Sequence, residues 1–242
     1  MPLPRFFSPS AAAGRTTVVL PADEAHHLTH VLRLRTGDEV GIFDGQGREW
    51  RGRVAVIDRA SVEIALSDEI APAAEPAVRV TLGIGLLKGD QMDAVVSDAT
   101  MLGVAEIAPL TTEHVSVPAR AVKIERWQRV AVASAKQCRR AVVPHVRPLA
   151  AFSDALEESI SGVRIICVEP AAAVHATPRT LADLPPPDSA LLLIGPEGGW
   201  SAAEIDRALG RSAVPICLGP RTLRAESAPI VALAALWTAW GW

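Results

Sequence analysis

The sequence predicts an α/β protein with a mainly parallel sheet, preceded by a small antiparallel β unit. From residue 78 onward, apolar strand-like runs alternate with helix-like segments. This alternation is typical of a parallel sheet that is covered by helices on both faces. Between residues 40 and 66, short runs with hydrophobic alternation are separated by Asp- and Gly-containing turn sequences. Such turns are typical of antiparallel hairpins.

The composition is that of an ordinary globular protein. The 242 residues are 49% hydrophobic, which is enough for a well-packed core in one or two domains. The N-terminus has no apolar stretch of signal-peptide length, and the most apolar segment, residues 228–240, is shorter than a bilayer-spanning helix. Cys138, Cys167 and Cys217 lie far apart and form no C-x-x-C pair, which suits a reducing compartment. We therefore expect a cytoplasmic protein with no membrane span.

The N-terminal third has the pattern of a separate β domain. One short helix is predicted over residues 23–32, because Asp23 and Glu24 stand where a helix N-terminus favours negative charge. Residues 67–77 are rich in proline, alanine and acidic residues without periodicity, which predicts a linker. The expected domains are residues 1–72 and 73–242. Strands are predicted at residues 40–43, 50–57 and 62–66.

The remainder of the chain has the pattern of the α/β domain. Helices are predicted over residues 90–102 and 123–141, from Ser201 onward, and at the C-terminus. The apolar runs between them are short and nearly continuous, as expected for strands that are buried on both faces. Strands are predicted at residues 78–84, 105–110, 163–168, 190–194 and 214–218.

A glycine-rich turn follows the apolar run at residues 191–194. It reads Gly-Pro-Glu-Gly-Gly over residues 195–199, and Ser201 and Glu204 then form an S-x-x-E capping box that opens a helix. Glycines at the carboxyl end of a parallel strand expose backbone groups to a ligand. A plain turn that needs positive φ is equally compatible, and the pattern is not the G-x-G-x-x-G of dinucleotide sites.

A second strand end carries charge as well as glycine. Leu218 and Gly219 lead into a turn in which Arg224 and Glu226 precede an apolar helix, with Pro229 in its first turn. A surface ion pair would also account for these charges. If the two strands are neighbours, however, both loops would converge on one crevice.

Positive charge is concentrated in one stretch, although the net charge of the chain is −3. Residues 120–147 contain eight basic residues against one acidic residue. On the predicted helix, this charge indicates either a solvated face or a contact with nucleic-acid phosphates.

Three histidines near the N-terminus are candidate metal ligands. His26 and His30 share one helix face, and His27 lies between them. A zinc site needs three or four ligands, and no acid or cysteine is placed to complete one. We therefore expect no metal, and we interpret these histidines as packing or RNA-facing residues.

Taken in order, the motifs of the whole chain resemble the ribosomal RNA small subunit methyltransferase E (RsmE) family of SPOUT methyltransferases. The resemblance includes PRFF at residues 4–7, KGDQMD at residues 88–93, IGPEGG at residues 194–199 and LRAESA at residues 223–228. It implies an N-terminal PUA-like β barrel and a SPOUT α/β domain whose C-terminus forms a trefoil knot. It also implies S-adenosylmethionine as the cofactor and N3 of a uridine in 16S ribosomal RNA as the methyl acceptor.

The resemblance assigns roles to residues of this chain. Arg224 and Glu226 are the expected catalytic residues, and phosphate contact becomes the favoured interpretation of the basic stretch. The expected cofactor-binding residues are Ile194, Gly195, Glu197, Gly198, Gly199, Leu218, Gly219 and Leu223. The expected RNA-binding residues are Arg33, Arg35, Lys88, Arg126, Arg129, Arg139 and Arg140.

The expected partners are 16S ribosomal RNA within a small-subunit particle and a second copy of the chain. The dimer is expected because residues 228–242, with Leu233, Leu236, Trp237, Trp240 and Trp242, hold more apolar surface than one small domain readily covers. Two alternatives stay open: a SPOUT enzyme with a different target, such as a ribose 2′-hydroxyl, and a non-catalytic RNA-binding factor. Intact glycine loops favour an enzyme.

Overall fold

The computed structural model describes residues 3–58, 61–118, 122–172 and 176–241. The chain divides into two compact units. The first consists of Met1–Glu75 and Val132–Val143, and the second of Pro76–Ala131 and Pro144–Trp242. Each unit has its own sheet.

The first unit contains a five-stranded sheet in the order β1-β3-β4-β5-β2. The predicted hairpins are confirmed, because β3 and β5 both pair antiparallel with β4. Two short strands were not predicted: β1 pairs in parallel with β3, and β2 pairs antiparallel with β5. The strands are β1 Arg5–Phe7, β2 Thr17–Val19, β3 Glu39–Phe43, β4 Glu49–Ile57 and β5 Val62–Ile70.

The predicted linker was wrong over its first four residues. Residues 67–70 belong to β5, where Glu69 and Ile70 pair with Trp50 and Glu49 of β4. The acidic side chains of this segment do not prevent strand formation, because most side chains at the end of β5 are exposed to solvent. The strand therefore extends to the end of its partner.

The helix predicted over residues 23–32 is present, shifted by one residue and changing type along its length. Helix α1 spans Ala22–His26 and continues as one π-helical turn over His27–Val31. The rings of His26 and His30 stack with their centroids 4.4 Å apart. Within the described part of the chain, no group of three or more His, Cys, Asp and Glu side chains is placed to hold a metal ion.

The second unit contains a sheet in the order β12-β10-β11-β6-β7-β8, and the short β9 also pairs with β7. Every pairing is parallel, which confirms the predicted sheet type. The trefoil knot stays a prediction. The strands are β6 Arg79–Gly85, β7 Glu106–Thr111, β8 His145–Val146, β9 Ala150–Ala151, β10 Val163–Cys167, β11 Ser189–Ile194 and β12 Val214–Ile216.

Four predicted helices are present, together with a short one that was not predicted. The helix predicted over residues 123–141 ends at Cys138, and the next residue, Arg139, has a φ of 66°. None of the described helices is long and apolar enough to cross a membrane. The helices are α2 Gln91–Met101, α3 Ile124–Cys138, α4 Phe152–Glu157, α5 Ala202–Gly210 and α6 Ala228–Trp240, with a 3₁₀ turn at Leu181–Asp183.

The apolar residues of α6 are mostly covered by their own chain. Leu233, Leu236 and Trp237 are buried, so the argument for a dimer from these side chains was wrong. Trp242 lies outside the described residues. The exposed large apolar side chains among the described residues of α6 are Ile230 and Val231.

Candidate cofactor site

The strand ends of the second sheet line one cavity of about 460 Å³. The glycine loop follows β11, and the loop with Arg224 follows β12. These two strands are not neighbours, because β10 lies between them. The two loops line the same cavity nevertheless, and the segment after β10 completes its wall with Val168, Glu169 and Pro170.

The glycine loop folds tightly enough to need its glycines. Gly199 has a φ of 68°, and a Cβ atom there would lie 2.7 Å from Glu169 Oε1. A Cβ atom at Gly198 would lie 2.7 Å from His114 Cβ. Substitution at either position would force backbone or side chains to move.

Hydrogen bonds from Trp200, Ser201 and Glu204 fix the end of the glycine loop to the neighbouring elements. The Ser201 hydroxyl accepts a hydrogen bond from the Glu204 N–H at 3.1 Å, and the Glu204 carboxylate accepts one from the Ser201 N–H at 2.9 Å. The predicted capping box is therefore present. The other Glu204 oxygen accepts from the Glu113 N–H at 2.9 Å, and the Trp200 indole N–H donates to the Cys167 carbonyl at 2.9 Å. These contacts attach the loop to α5 and to the end of β10.

Most of the expected cofactor residues line the cavity, as do Arg224 and Glu226. Gly198 and Gly219 do not belong to its lining. The Gly198 carbonyl lies 3.0 Å from His114 Nδ1, and the Gly219 carbonyl accepts from the Cys217 thiol at 3.2 Å. The expected residues in the lining are Ile194, Gly195, Glu197, Gly199, Leu218 and Leu223.

Sequence reasoning missed part of the lining. Gln91, Cys167, Trp200 and Arg221 face the cavity as well. The position of Cys167 at the end of an apolar strand was a usable signal, since strand ends of parallel sheets form ligand sites. Gln91 lies within the KGDQMD motif of residues 88–93, but the motif by itself does not show that this side chain reaches the cavity.

Glu197 makes its contacts to a neighbouring turn. Its Oε1 accepts hydrogen bonds from the Lys88 backbone N–H at 2.8 Å and from the Gln91 side-chain amide at 2.8 Å. The glycine loop is thereby connected to the turn that precedes α2. The side chains of Glu197 and Lys88 are both exposed at this place.

Arg224 and Glu226 do not form the surface ion pair that the sequence left open. Within the described residues, neither side chain makes a hydrogen bond or ion pair, and Glu226 is half-buried while Arg224 is exposed. The backbone between them is ordered by the Arg224 carbonyl, which accepts from the Ser227 and Ala228 N–H groups at 3.0 Å each. Both side chains are thus available to a ligand.

Cys167 contributes an uncharged thiol to the lining of the cavity. Burial raises the pKa of its thiol to about 12, and the nearby Cys217 adds to this shift. The thiol therefore stays protonated at neutral pH and behaves as a small apolar group.

The basic stretch is partly neutralised by acids from elsewhere in the chain. Arg140 is buried, and its guanidinium donates to Glu75 at distances of 2.6 to 2.9 Å. Its expected role in RNA binding stays a prediction. Lys136 pairs with Glu24, and Arg126 with Asp93. Arg120 lies outside the described residues. The basic side chains of the stretch that are exposed and make no ion pair with described residues are Lys123, Arg129 and Arg139.

Comparison with known proteins agrees with this architecture. Residues 74–237 match the model of an RNA methyltransferase domain, and residues 20–67 match that of an RNA methyltransferase PUA domain. The ribosomal RNA small subunit methyltransferase E of Synechocystis sp. is 34% identical over 225 residues, covering 90% of this chain and 72% of the relative. The protein of that name from Bacillus subtilis is 28% identical over 228 residues, covering 91% and 89%.

Solved structures share the fold over nearly the full length. The ribosomal RNA small subunit methyltransferase E of Neisseria gonorrhoeae, bound to S-adenosyl methionine, superposes with a TM-score of 0.89 at 30% identity and covers 98% of both chains. A putative methyltransferase of Legionella pneumophila, also in complex with this cofactor, has a TM-score of 0.88 at 27% identity, covering 99% of this chain and 98% of its own. Both bound ligands agree with the predicted cofactor. The chain therefore belongs to the ribosomal RNA small subunit methyltransferase E family.

Proposed function

We propose that the chain uses S-adenosylmethionine to methylate N3 of one uridine in 16S ribosomal RNA, in the cytoplasm and within a small-subunit particle. One observation carries this proposal. A single cavity brings the glycine loop after β11 together with the loop after β12, and Arg224 and Glu226 are among its lining residues. The family and the relatives named above support ribosomal RNA as the substrate class.

The cavity fits a ligand of the size and character of S-adenosylmethionine. Its volume of about 460 Å³ lies within the range of small-molecule sites, about 300–1,000 Å³. Ile194, Leu218 and Leu223 supply apolar surface, and the glycine loop brings backbone groups close to the cavity. When bound, S-adenosylmethionine supplies a methyl group that is activated by its positively charged sulfur.

Arg224 and Glu226 would handle the charge that develops on the uridine. N3 of uridine carries a proton, and its removal leaves negative charge on the neighbouring carbonyl oxygens. The Arg224 guanidinium would stabilise this charge. Glu226 would either accept the proton or orient Arg224. Because N3 is hidden in Watson–Crick pairs, the target must be unpaired or flipped out of its helix.

Exposed cations on both units would contact the RNA phosphates. Arg33 and Arg35 lie on the first unit, and Lys88 and Arg129 on the second. Arg126 is half-exposed but paired with Asp93, so it would have to exchange this carboxylate for a phosphate. Arg139, which is exposed and has a left-handed φ of 66°, follows the end of α3.

We also propose that the active form is a homodimer that pairs through α6. Ile230 and Val231 are 36% and 39% exposed, and Met101 of the adjacent α2 is 41% exposed. Two-fold interfaces place one apolar patch against its own copy. Val231→Glu should shift the protein toward monomers in sedimentation, whereas Leu236→Glu would unfold it, because Leu236 is buried within its own chain.

Mass spectrometry of ribosomal RNA tests the reaction. Cells that lack the protein should lose one 3-methyluridine from 16S ribosomal RNA, and the wild-type chain should restore it. Arg224→Ala should not restore it, whereas the matched exposed variant Arg211→Ala should. Loss of a ribose methyl group instead would favour the SPOUT enzyme with a different target. No change in any methylated nucleotide would favour the RNA-binding factor.

A further inference from the structure

Gln91, the first residue of α2, belongs to the lining of the cavity and carries an amide group. The hydrogen-bond network orients its amide with the nitrogen toward the Lys88 carbonyl oxygen, at 3.2 Å, and toward Glu197 Oε1, at 2.8 Å. An amide nitrogen has two N–H groups, so both are engaged. The amide oxygen of Gln91 is therefore left to accept a hydrogen bond from a ligand.

Glu197 supplies a second acceptor beside the first. Its Oε1 is occupied by the Lys88 backbone N–H and the Gln91 amide, both at 2.8 Å. Its other carboxylate oxygen accepts no hydrogen bond from the described residues, so its lone pairs can take a ligand N–H. Gln91 and Glu197 together thus form a pair of acceptor oxygens with a net negative charge, held in place by the turn before α2.

This acceptor pair matches a primary ammonium group. An ammonium carries three N–H donors and a positive charge, so it can satisfy an amide oxygen and a carboxylate oxygen at once. S-adenosylmethionine carries one such group, on its amino-acid moiety. We propose that Gln91 and Glu197 bind the ammonium of the cofactor, with Glu197 also orienting Gln91. This inference rests on the proposed function, because it takes its ligand from it.

Two ligands isolate the ammonium contact in a calorimetric titration of the full-length chain. S-adenosylhomocysteine carries the ammonium group, whereas 5′-methylthioadenosine has the same nucleoside without the amino-acid moiety. Gln91→Met keeps the side-chain length and removes the hydrogen bond. We expect it to weaken S-adenosylhomocysteine binding about three- to tenfold, in line with the value of one hydrogen bond. Binding of 5′-methylthioadenosine should stay within about twofold, which also shows that the variant is folded.

Removing the charge of the acceptor pair should have a larger effect. Glu197→Gln should weaken S-adenosylhomocysteine binding about ten- to hundredfold, because hydrogen bonds to charged groups are the stronger ones. Gln46→Met is the matched control, since Gln46 is an exposed glutamine of the first unit. It should leave the affinities for both ligands unchanged.

Three results would overturn the inference. The first is an equal loss of affinity for both ligands in Gln91→Met, which would mean that Gln91 supports another part of the site. The second is a selective loss of S-adenosylhomocysteine affinity in Glu169→Gln with none in Gln91→Met, which would assign the ammonium to Glu169. The third is a loss of RNA affinity in Gln91→Met with unchanged S-adenosylhomocysteine binding. A wild-type chain that binds neither ligand would instead refute the proposed function.

Discussion

Replacing Arg5 by methionine should remove a buried and extensively hydrogen-bonded charge of the first unit. The Arg5 side chain is 4% exposed and its partner Glu49 is 6% exposed. Arg5 donates to both Glu49 oxygens, at 2.9 and 2.8 Å. It also donates to the carbonyls of Ala135, Lys136 and Arg140, at 3.0, 3.2 and 3.1 Å, which lie at or just beyond the C-terminal end of α3. The guanidinium thus satisfies a carboxylate and three carbonyl groups.

The expected loss follows from these contacts. Removing one partner of a buried ion pair costs about 3–5 kcal/mol, because the other charge stays buried without compensation. The total unfolding free energy of a domain is about 5–15 kcal/mol, so Arg5→Met should strongly destabilise the first unit. A double variant, Arg5→Met with Glu49→Met, should recover part of the loss, since it removes both charges. The exposed pair Arg53–Glu39, at 61% and 59% exposure, is the control: Arg53→Met should cost about 1 kcal/mol or less.

Amide hydrogen exchange is the suitable assay, because it measures the opening free energy of individual strands in a chain of two units. The amides of β4 and β5 should lose protection in Arg5→Met and regain part of it in the double variant. A change of less than about 1 kcal/mol in Arg5→Met would refute the reasoning, since buried pairs are expected to cost several times more. A double variant less stable than Arg5→Met would refute it as well.

The other predictions concern the candidate site. Arg224→Ala should raise the activation free energy by about 2–4 kcal/mol and so lower kcat, with little change in S-adenosylhomocysteine affinity. Arg224→Lys should restore part of the rate. If Glu226 is the base, raising the pH should partly rescue the kcat/KM of Glu226→Gln. Because the Cys167 pKa is raised to about 12, its reactive thiolate forms only as the pH rises toward that value, and iodoacetamide at pH 8 should modify it far more slowly than free cysteine, as followed by mass spectrometry. Gly199→Ala should lower both Tm and S-adenosylhomocysteine affinity, because its Cβ would lie 2.7 Å from Glu169 Oε1 at a φ of 68°.

Each of these predictions has an outcome that contradicts it. Arg224→Ala with reduced cofactor affinity and an unchanged kcat would make Arg224 a cofactor ligand. Wild-type rates of Glu226→Gln at every pH would remove Glu226 from the mechanism. Labelling of Cys167 as fast as free cysteine would mean that its thiol is not buried. For Gly199→Ala the control is Gly210→Ala, which meets no atom within 4 Å and should leave S-adenosylhomocysteine affinity unchanged.

Features that depend on residues close together in the sequence could be predicted from the sequence. The capping box of Ser201 and Glu204 is present, with both of its hydrogen bonds. The hairpins that join β3, β4 and β5 are present, and so is the strand that leads into the glycine loop. Capping, turn chemistry and hydrophobic periodicity act over a few residues, so the local pattern is sufficient to determine them.

Features that depend on contacts through space were decided only by the tertiary structure. The placement of β10 between β11 and β12 brings Cys167 and Glu169 to the cavity, although neither residue carries a motif. The pairing of charged side chains shows this dependence on the tertiary structure most clearly. Arg140 pairs with Glu75, 65 residues away, and Lys136 with Glu24, 112 residues away, so a stretch that is basic in sequence is partly neutral in the fold. Coulomb interactions depend on the distance between charges in space, and only the folded chain sets that distance.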